Sequence, residues 1–309
     1  MKYLTFILLI FVCACNNPHV AEDIVSAKKK DTVNRDNLYH QTHDWHVDSP
    51  FDTVKLLQAF FDPIRVDKKI AIWKPSPEDK LNMNLSDDGY CHTNIDTIIK
   101  VPYKKTYRDE VYWVVFTTLV YDNDGVFAGS CHWCGANYGI AELVKDGYTY
   151  KVQCFNKNFA TMGQSGHKAD SLGIQKFGGD QYWDDYALFI TSDWQGSGGY
   201  FKDIYYYNID DSRPIHEIFN CRMVDYQSEL DEKGNETDDE IDRKITFLPD
   251  SERRYASIKI ACEHTYENDR KKPVDVKSTT YYYWNYDQKV FQNGKMGKEV
   301  FHDKIVNYQ

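Results

Sequence analysis

The sharpest chemistry in the chain is a pair of cysteines three positions apart, Cys131-His-Trp-Cys134. Thiols at this spacing can close a local disulfide, supply half of a zinc site, or cycle as a redox dithiol. Redox use needs a stabilised thiolate, commonly at a helix N-terminus. Here the motif follows a turn in a strand-rich stretch with no βαβ pattern around it. Zinc needs two further nitrogen or sulfur ligands, and Cys91, His92, His132 and Cys154 are the candidates. The leading expectation is a local disulfide or a pair of structural cysteines. Metal binding and redox chemistry are the alternatives.

Other catalytic patterns are weaker. His132, His167, His216 and His264 occur among many acids, without a G-x-S-x-G elbow or an H-E-x-x-H helix. Gly163-Gln-Ser-Gly166 reads as a turn. Asp122-Asn-Asp-Gly125 places oxygens at calcium-like intervals, but no glutamate closes an EF-hand loop, so a β-turn is expected. The glycines from Gly196 to Gly199 lack the Lys-Ser/Thr of a phosphate loop. Aromatic side chains remain. Trp194, Tyr200 and Trp284, with Tyr205–Tyr207 and Tyr281–Tyr283, form a candidate platform for a glycan or a protein. Successive strand residues face opposite ways, so each triplet sets its middle ring against the outer two. Cross-strand packing is the plainer use of such rings. No cofactor is expected, and the chain reads as non-enzymatic.

The elements that must position these groups are mostly strands. Val111 to Tyr121 is a long β-branched and aromatic run. Tyr148–Cys154, Tyr186–Ser192, Ile204–Ile209, Tyr255–Cys262 and Thr279–Tyr286 repeat the theme between turn-rich segments. Ahead of them, Ser49-Pro50 reads as a helix start with serine as the cap. Val54, Leu57 and Phe61 share a face, with Leu56 and Phe60 beside them. The acidic stretch from Asp225 to Arg243 is expected to be an exposed hairpin tip or loop. The fold expected is mainly β: antiparallel sheets, as a sandwich or an incomplete propeller-like arrangement, with a short N-terminal helix.

Composition narrows the partners. The chain has 309 residues and a formal net charge of −10, which argues against nucleic acid and against adhesion to anionic lipid headgroups. Its 24 tyrosines favour strands over helices.

The N-terminus gives an address. Lys2 precedes an apolar run from Leu4 to Ala14, too short for a membrane-spanning helix but of signal-peptide length. It ends Val12-Cys13-Ala14-Cys15, followed by polar Asn16 and Asn17. This end resembles the lipobox of bacterial lipoproteins, with Ala14 as the small residue before the acceptor and Cys15 as the lipidated cysteine; Cys13 is the alternative acceptor. The resemblance covers the first seventeen residues and implies a signal peptide over 1–14. A flexible tether over 15–46 and a mainly β domain over 47–309 would follow. It also implies a membrane partner through the lipid, with acyl chains as the anchor. Asn16, where an aspartate would imply inner-membrane retention, points to the outer membrane.

After export, six cysteines remain for the fold. An even number in an exported chain suggests disulfides, so Cys221 and Cys262 join Cys131 and Cys134 as candidates. The function expected is a lipid-anchored envelope protein whose β domain binds a protein or glycan. A metal or redox enzyme centred on Cys131 and Cys134, and a structural envelope component, are the alternatives.

Overall fold

The computed structural model describes residues 45–83, 85, 89–102, 110–121, 135–163, 169, 171–178, 185–196, 199–209, 215–230, 236–250, 253–267, 273–294, 298–301 and 304–307. The chain is mainly β, in antiparallel sheets, with two short helices among the described residues. Cys15 and most of the stretch read as a tether lie outside the described residues. Trp45 and His46, at the end of that stretch, belong to the folded domain. His46 starts the first strand, and Trp45 packs on Phe60 and Phe155.

The first sheet has seven strands. They are β1 (His46–Val47), β2 (Arg65–Asp67), β3 (Ile70–Trp73), β4 (Tyr90–Val101), β5 (Val111–Tyr121), β6 (Ala136–Asp146) and β7 (Thr149–Met162). Their order is β1-β7-β6-β5-β4-β3-β2. The central strand β5 is buried continuously from Val111 to Thr118. A strand buried on both faces needs an unbroken apolar run rather than alternation, and Val111-Tyr-Trp-Val-Val-Phe116 supplies it.

One face is covered by helix α1 (Thr53–Phe61), which buries Leu56, Leu57, Phe60 and Phe61 and leaves Val54 exposed. Its start differs from the sequence expectation. Asp52, not Ser49, caps it by accepting from the Lys55 N–H at 3.1 Å, while Ser49 Oγ accepts from the Phe51 N–H. Both residue types serve as caps; here Ser49 stabilises the turn leading in. Beneath α1, Phe60 stacks on Phe155 at 4.8 Å, and Phe61 packs edge-on against Phe116. A second helix, α2 (Pro77–Asn82), opens with a capping box between Ser76 and Asp79. The Lys157 ammonium reaches both oxygens of Asp79, at 3.0 and 3.1 Å, and ties α2 to β7.

The second sheet has eight strands: β8 (Ser171–Lys176), β9 (Tyr186–Gly196), β10 (Gly199–Asn208), β11 (His216–Leu230), β12 (Glu236–Leu248), β13 (Ser257–Glu267), β14 (Pro273–Asn285) and β15 (Val290–Asn293). It runs in reverse sequence order from β15 to β8. A small hairpin of β16 (Lys298–Phe301) and β17 (Lys304–Asn307) follows. Of the acidic stretch, residues 225–230 and 236–243 stand on the paired arms of the β11–β12 hairpin rather than in a loop, which agrees with the hairpin part of the expectation.

This sheet curls on itself. Gly178, just after β8, bridges Tyr255, just before β13, and the Ala256 N–H donates to Phe177 O at 2.9 Å. The inside holds Phe177, Tyr206, Ile218, Ile258, Trp284 and Phe291. The outside of β9 and β10 presents Leu188, Ile190 and Tyr207 to the first sheet, against Trp113, Val115, Tyr138 and Ile140. The alternation expected for Tyr205–Tyr207 is present: Tyr206 faces the curled interior, and Tyr205 and Tyr207 face the other sheet. Among the described residues, no helix is long and apolar enough to cross a membrane.

Candidate functional site

The described sequence candidates separate in the fold. Cys131, His132 and Cys134 lie outside the described residues. Cys91 and His92 are neighbours on β4, so their side chains point to opposite faces and cannot serve one ion together. Cys91 sits in the core beneath α1, fully buried, where burial first and the Asp79 carboxylate second push its thiol up to about 12. His92 faces the Tyr121 ring at 4.2 Å. Cys154 is buried on the other face of the same sheet, directly across from Glu142. None of Cys91, Cys154, Cys221 and Cys262 is in a disulfide. Cys221 and Cys262, both candidates for a disulfide, are not joined in one. Strand β12 stands between their strands, which sets the backbones about 10 Å apart, against the roughly 7 Å a disulfide tolerates. Arg243, directly opposite Cys262, fills the gap by donating to Arg222 O at 3.0 Å. Among the described residues, no group of three or more His, Cys, Asp and Glu side chains is placed to hold a metal.

The aromatic candidates also part company. Trp284 is 3% exposed, wedged among Phe177, Tyr255 and Phe291 in the curled interior, and offers no face to a ligand. Trp194 is half-buried at the end of the β9–β10 hairpin and stacks on Phe201 at 4.9 Å. Its ring covers Gly196, where a Cβ would come within 2.2 Å of it. Phe201 in turn carries the Arg222 guanidinium at 4.4 Å. Tyr200 donates to Asp193 Oδ2. These rings close a hairpin end.

A different aromatic pair lines a cleft. Tyr281 and Tyr283 point outward from β14, opposite to Tyr282, which packs on the curled interior. The cleft has a volume of about 420 Å³, and Leu248, Pro249, Asp250, Arg253 and Ser257 complete its lining. That size lies within the range of small-molecule sites, about 300–1,000 Å³. Residues 248–250 and 253–257 build the floor, the latter by sending three consecutive side chains to three places. Arg253 turns into the cleft, Arg254 makes a two-pronged contact with Asp185 at 3.2 Å, and Tyr255 stacks on Phe177. The Arg253 N–H donates to Asp250 O at 3.2 Å, and Arg254 beside it is anchored on Asp185, which together hold the Arg253 backbone.

The Arg253 side chain is 7% exposed, and its guanidinium is held from two sides. Its Nε donates to Asp250 Oδ2 at 3.0 Å and its Nη1 donates to Ser257 Oγ at 3.1 Å. It lies 5.7 Å from the centre of the Tyr283 ring, within cation–π range. Tyr283 rests on Gly294, where a Cβ would approach its ring to 2.2 Å. Tyr281, 39% exposed, stands at the open side, and its carbonyl is fixed by the Gly294 N–H. The cleft thus combines two ring faces, hydroxyl groups, and an arginine whose charge a carboxylate balances. The tyrosine triplet pointed toward it in the sequence. Asp250, Arg253 and Ser257 carry no motif, and only the folding-back of their segment brings them to the rings.

Comparison with protein-family models, curated proteins and solved structures finds no match for the chain.

Proposed function

We propose that the chain is a lipid-anchored protein of a bacterial cell envelope, held in the outer membrane through Cys15, and that its β domain is a non-enzymatic module that binds a protein or a glycan. The lipobox-like order of apolar run, Ala14, Cys15 and polar Asn16 supports the address. The cleft beside Tyr281 and Tyr283 supports the binding role. Its floor is fixed by ion pairing and its Tyr283 ring is seated on Gly294 and Arg253, so less ordering remains to oppose association.

Two measurements test the two halves. Cys15→Ser should abolish labelling with a fatty-acid probe and release the chain from membranes; continued labelling would refute the acceptor assignment. Affinity capture from native envelopes should recover a component with the wild-type chain and lose it with Tyr281→Ala/Tyr283→Ala. Equal recovery by both would remove the cleft from the binding role.

A further inference from the structure

The cleft carries more information than that it binds. Tyr281 and Tyr283 are two apart on one strand, so their side chains rise from the same face about 7 Å apart. Tyr281 presents its ring at the open side, 39% exposed, while Tyr283 is seated on Gly294 and the Arg253 guanidinium. A ligand here meets aromatic surface first.

The polar groups set its charge. The buried Arg253 guanidinium is matched by Asp250 at 3.0 Å, and the Asp250 side chain remains 36% exposed at the rim. An anionic ligand would have to compete with Asp250 for Arg253, and a cationic ligand would have to weaken the same pair. A neutral ligand disturbs neither. The lining offers acceptors at the Asp250 carboxylate and groups that both donate and accept at Ser257, Tyr281 and Tyr283. Such a mixture suits neighbouring hydroxyls, each of which also donates and accepts. A flat C–H face bordered by hydroxyls is the chemistry of a sugar ring.

We propose that this cleft binds a neutral saccharide, with one sugar ring lying on Tyr281 and its hydroxyls turned toward Asp250 and Ser257. The assignment rests on the reading of the domain as a binding module and narrows its ligand class. The ring face of Tyr281 supplies apolar contact, and Asp250, oriented by Arg253, takes the hydroxyl hydrogen bond.

The test uses the full-length lipidated chain in detergent micelles. The probes are the neutral trisaccharides of glucose, mannose, xylose and N-acetylglucosamine, with trigalacturonate as the anionic comparison. Binding is read by saturation transfer from protein aromatic protons to sugar C–H protons, and affinities by titration. At least one neutral trisaccharide should bind and receive saturation on its ring protons. Tyr281→Ala should weaken it about tenfold or more. Tyr281→Phe, which keeps the ring face, should retain most of the affinity. Tyr148→Ala, at a fully exposed tyrosine elsewhere, should match wild type. Binding of none of the neutral probes, tighter binding of trigalacturonate, or equal binding by Tyr281→Ala would each overturn the proposal. If no sugar binds while a protein is still captured from envelopes in a Tyr281-dependent way, the saccharide assignment fails and the binding-module reading stands. If neither occurs, both fail.

Discussion

The indole N–H of Trp113 donates to Glu142 Oε1 at 3.0 Å, and both side chains are completely buried between the two sheets. The two residues are direct cross-strand partners on β5 and β6, so the sheet register itself aims the donor at the acceptor. A buried polar group that loses its partner costs about 1–3 kcal/mol, more when charged. Trp113→Phe keeps most of the ring and removes the donor, so it should destabilise the domain by at least about 2 kcal/mol in denaturant unfolding. Adding Glu142→Met to Trp113→Phe removes the acceptor as well and should recover part of that loss. A double variant less stable than Trp113→Phe alone would mean that Glu142 is stabilised by its other surroundings instead.

Gly139 marks the place where β7 bulges across β6. The register passes from Tyr138 opposite Ala160 to Ile140 opposite Asn156, so β7 carries extra residues over this point. A Cβ on Gly139 would lie 2.5 Å from Lys157 O and 2.7 Å from Asn156 O, both backbone atoms. The same bulge turns Lys157 toward Asp79 and Asn158 toward Asn82 O, so it also docks α2. Gly139→Ala should cost roughly 1–3 kcal/mol through overpacking and loosen α2. Calorimetry would read the first effect, and faster amide exchange in residues 77–83 the second. Wild-type exchange there, at lowered overall stability, would separate the bulge from the docking of α2.

The central strand was legible because its type does not depend on context. Val111 to Tyr121 is apolar, β-branched and aromatic throughout, and β5 has those bounds. The tyrosine triplets were legible because alternation follows from strand geometry alone. What alternation does not tell is what covers each face. Tyr205 to Tyr207 lie between two cores, whereas Tyr281 opens to solvent. Trp284 belongs to the same run as Tyr281 but falls on the face that the curling of the sheet encloses. That curl is fixed by contacts distant in sequence, such as Gly178 with Tyr255 and Arg254 with Asp185. For the same reason the cleft was only half visible. Its rings stand in a conspicuous run, but Arg253 and Asp250 join them from a segment that carries no pattern of its own. Strand β12 was obscured by its charge: Asp238, Asp239, Glu240 and Asp242 resemble a solvated loop, yet they stand on a ribbon strand held by backbone pairing to β11 and β13.

Cys91, Cys154, Cys221 and Cys262 should behave as thiols. Cys91 is raised to about 12 by burial, so at pH 8 it is almost wholly the unreactive thiol and is shielded by the core. In the folded chain it should resist iodoacetamide, and in urea without reductant it should label together with Cys154, Cys221 and Cys262. Peptide mass mapping distinguishes the sites. Recovery of Cys221 and Cys262 as a linked, unlabelled pair would contradict their separation by β12.

His92 should make the domain sensitive to mild acid. Its pKa is held below 6.5, first by burial and then by the charge of Arg65. The folded state therefore takes up this proton less readily than the unfolded chain does. Well above pH 6.5 neither state holds the proton, and the His92 contribution to stability is fully present. As pH falls below that value the unfolded chain protonates first, and stability declines until the folded-state pKa is also passed. His92→Gln retains a polar side chain beside Tyr121 and removes the titration. The loss of thermal stability between pH 7.5 and pH 5.5 should be smaller in His92→Gln than in wild type. Other titrating groups act on both proteins and cancel in that comparison. An equal or larger loss in the variant would show that His92 is not held below its ordinary value in the folded chain.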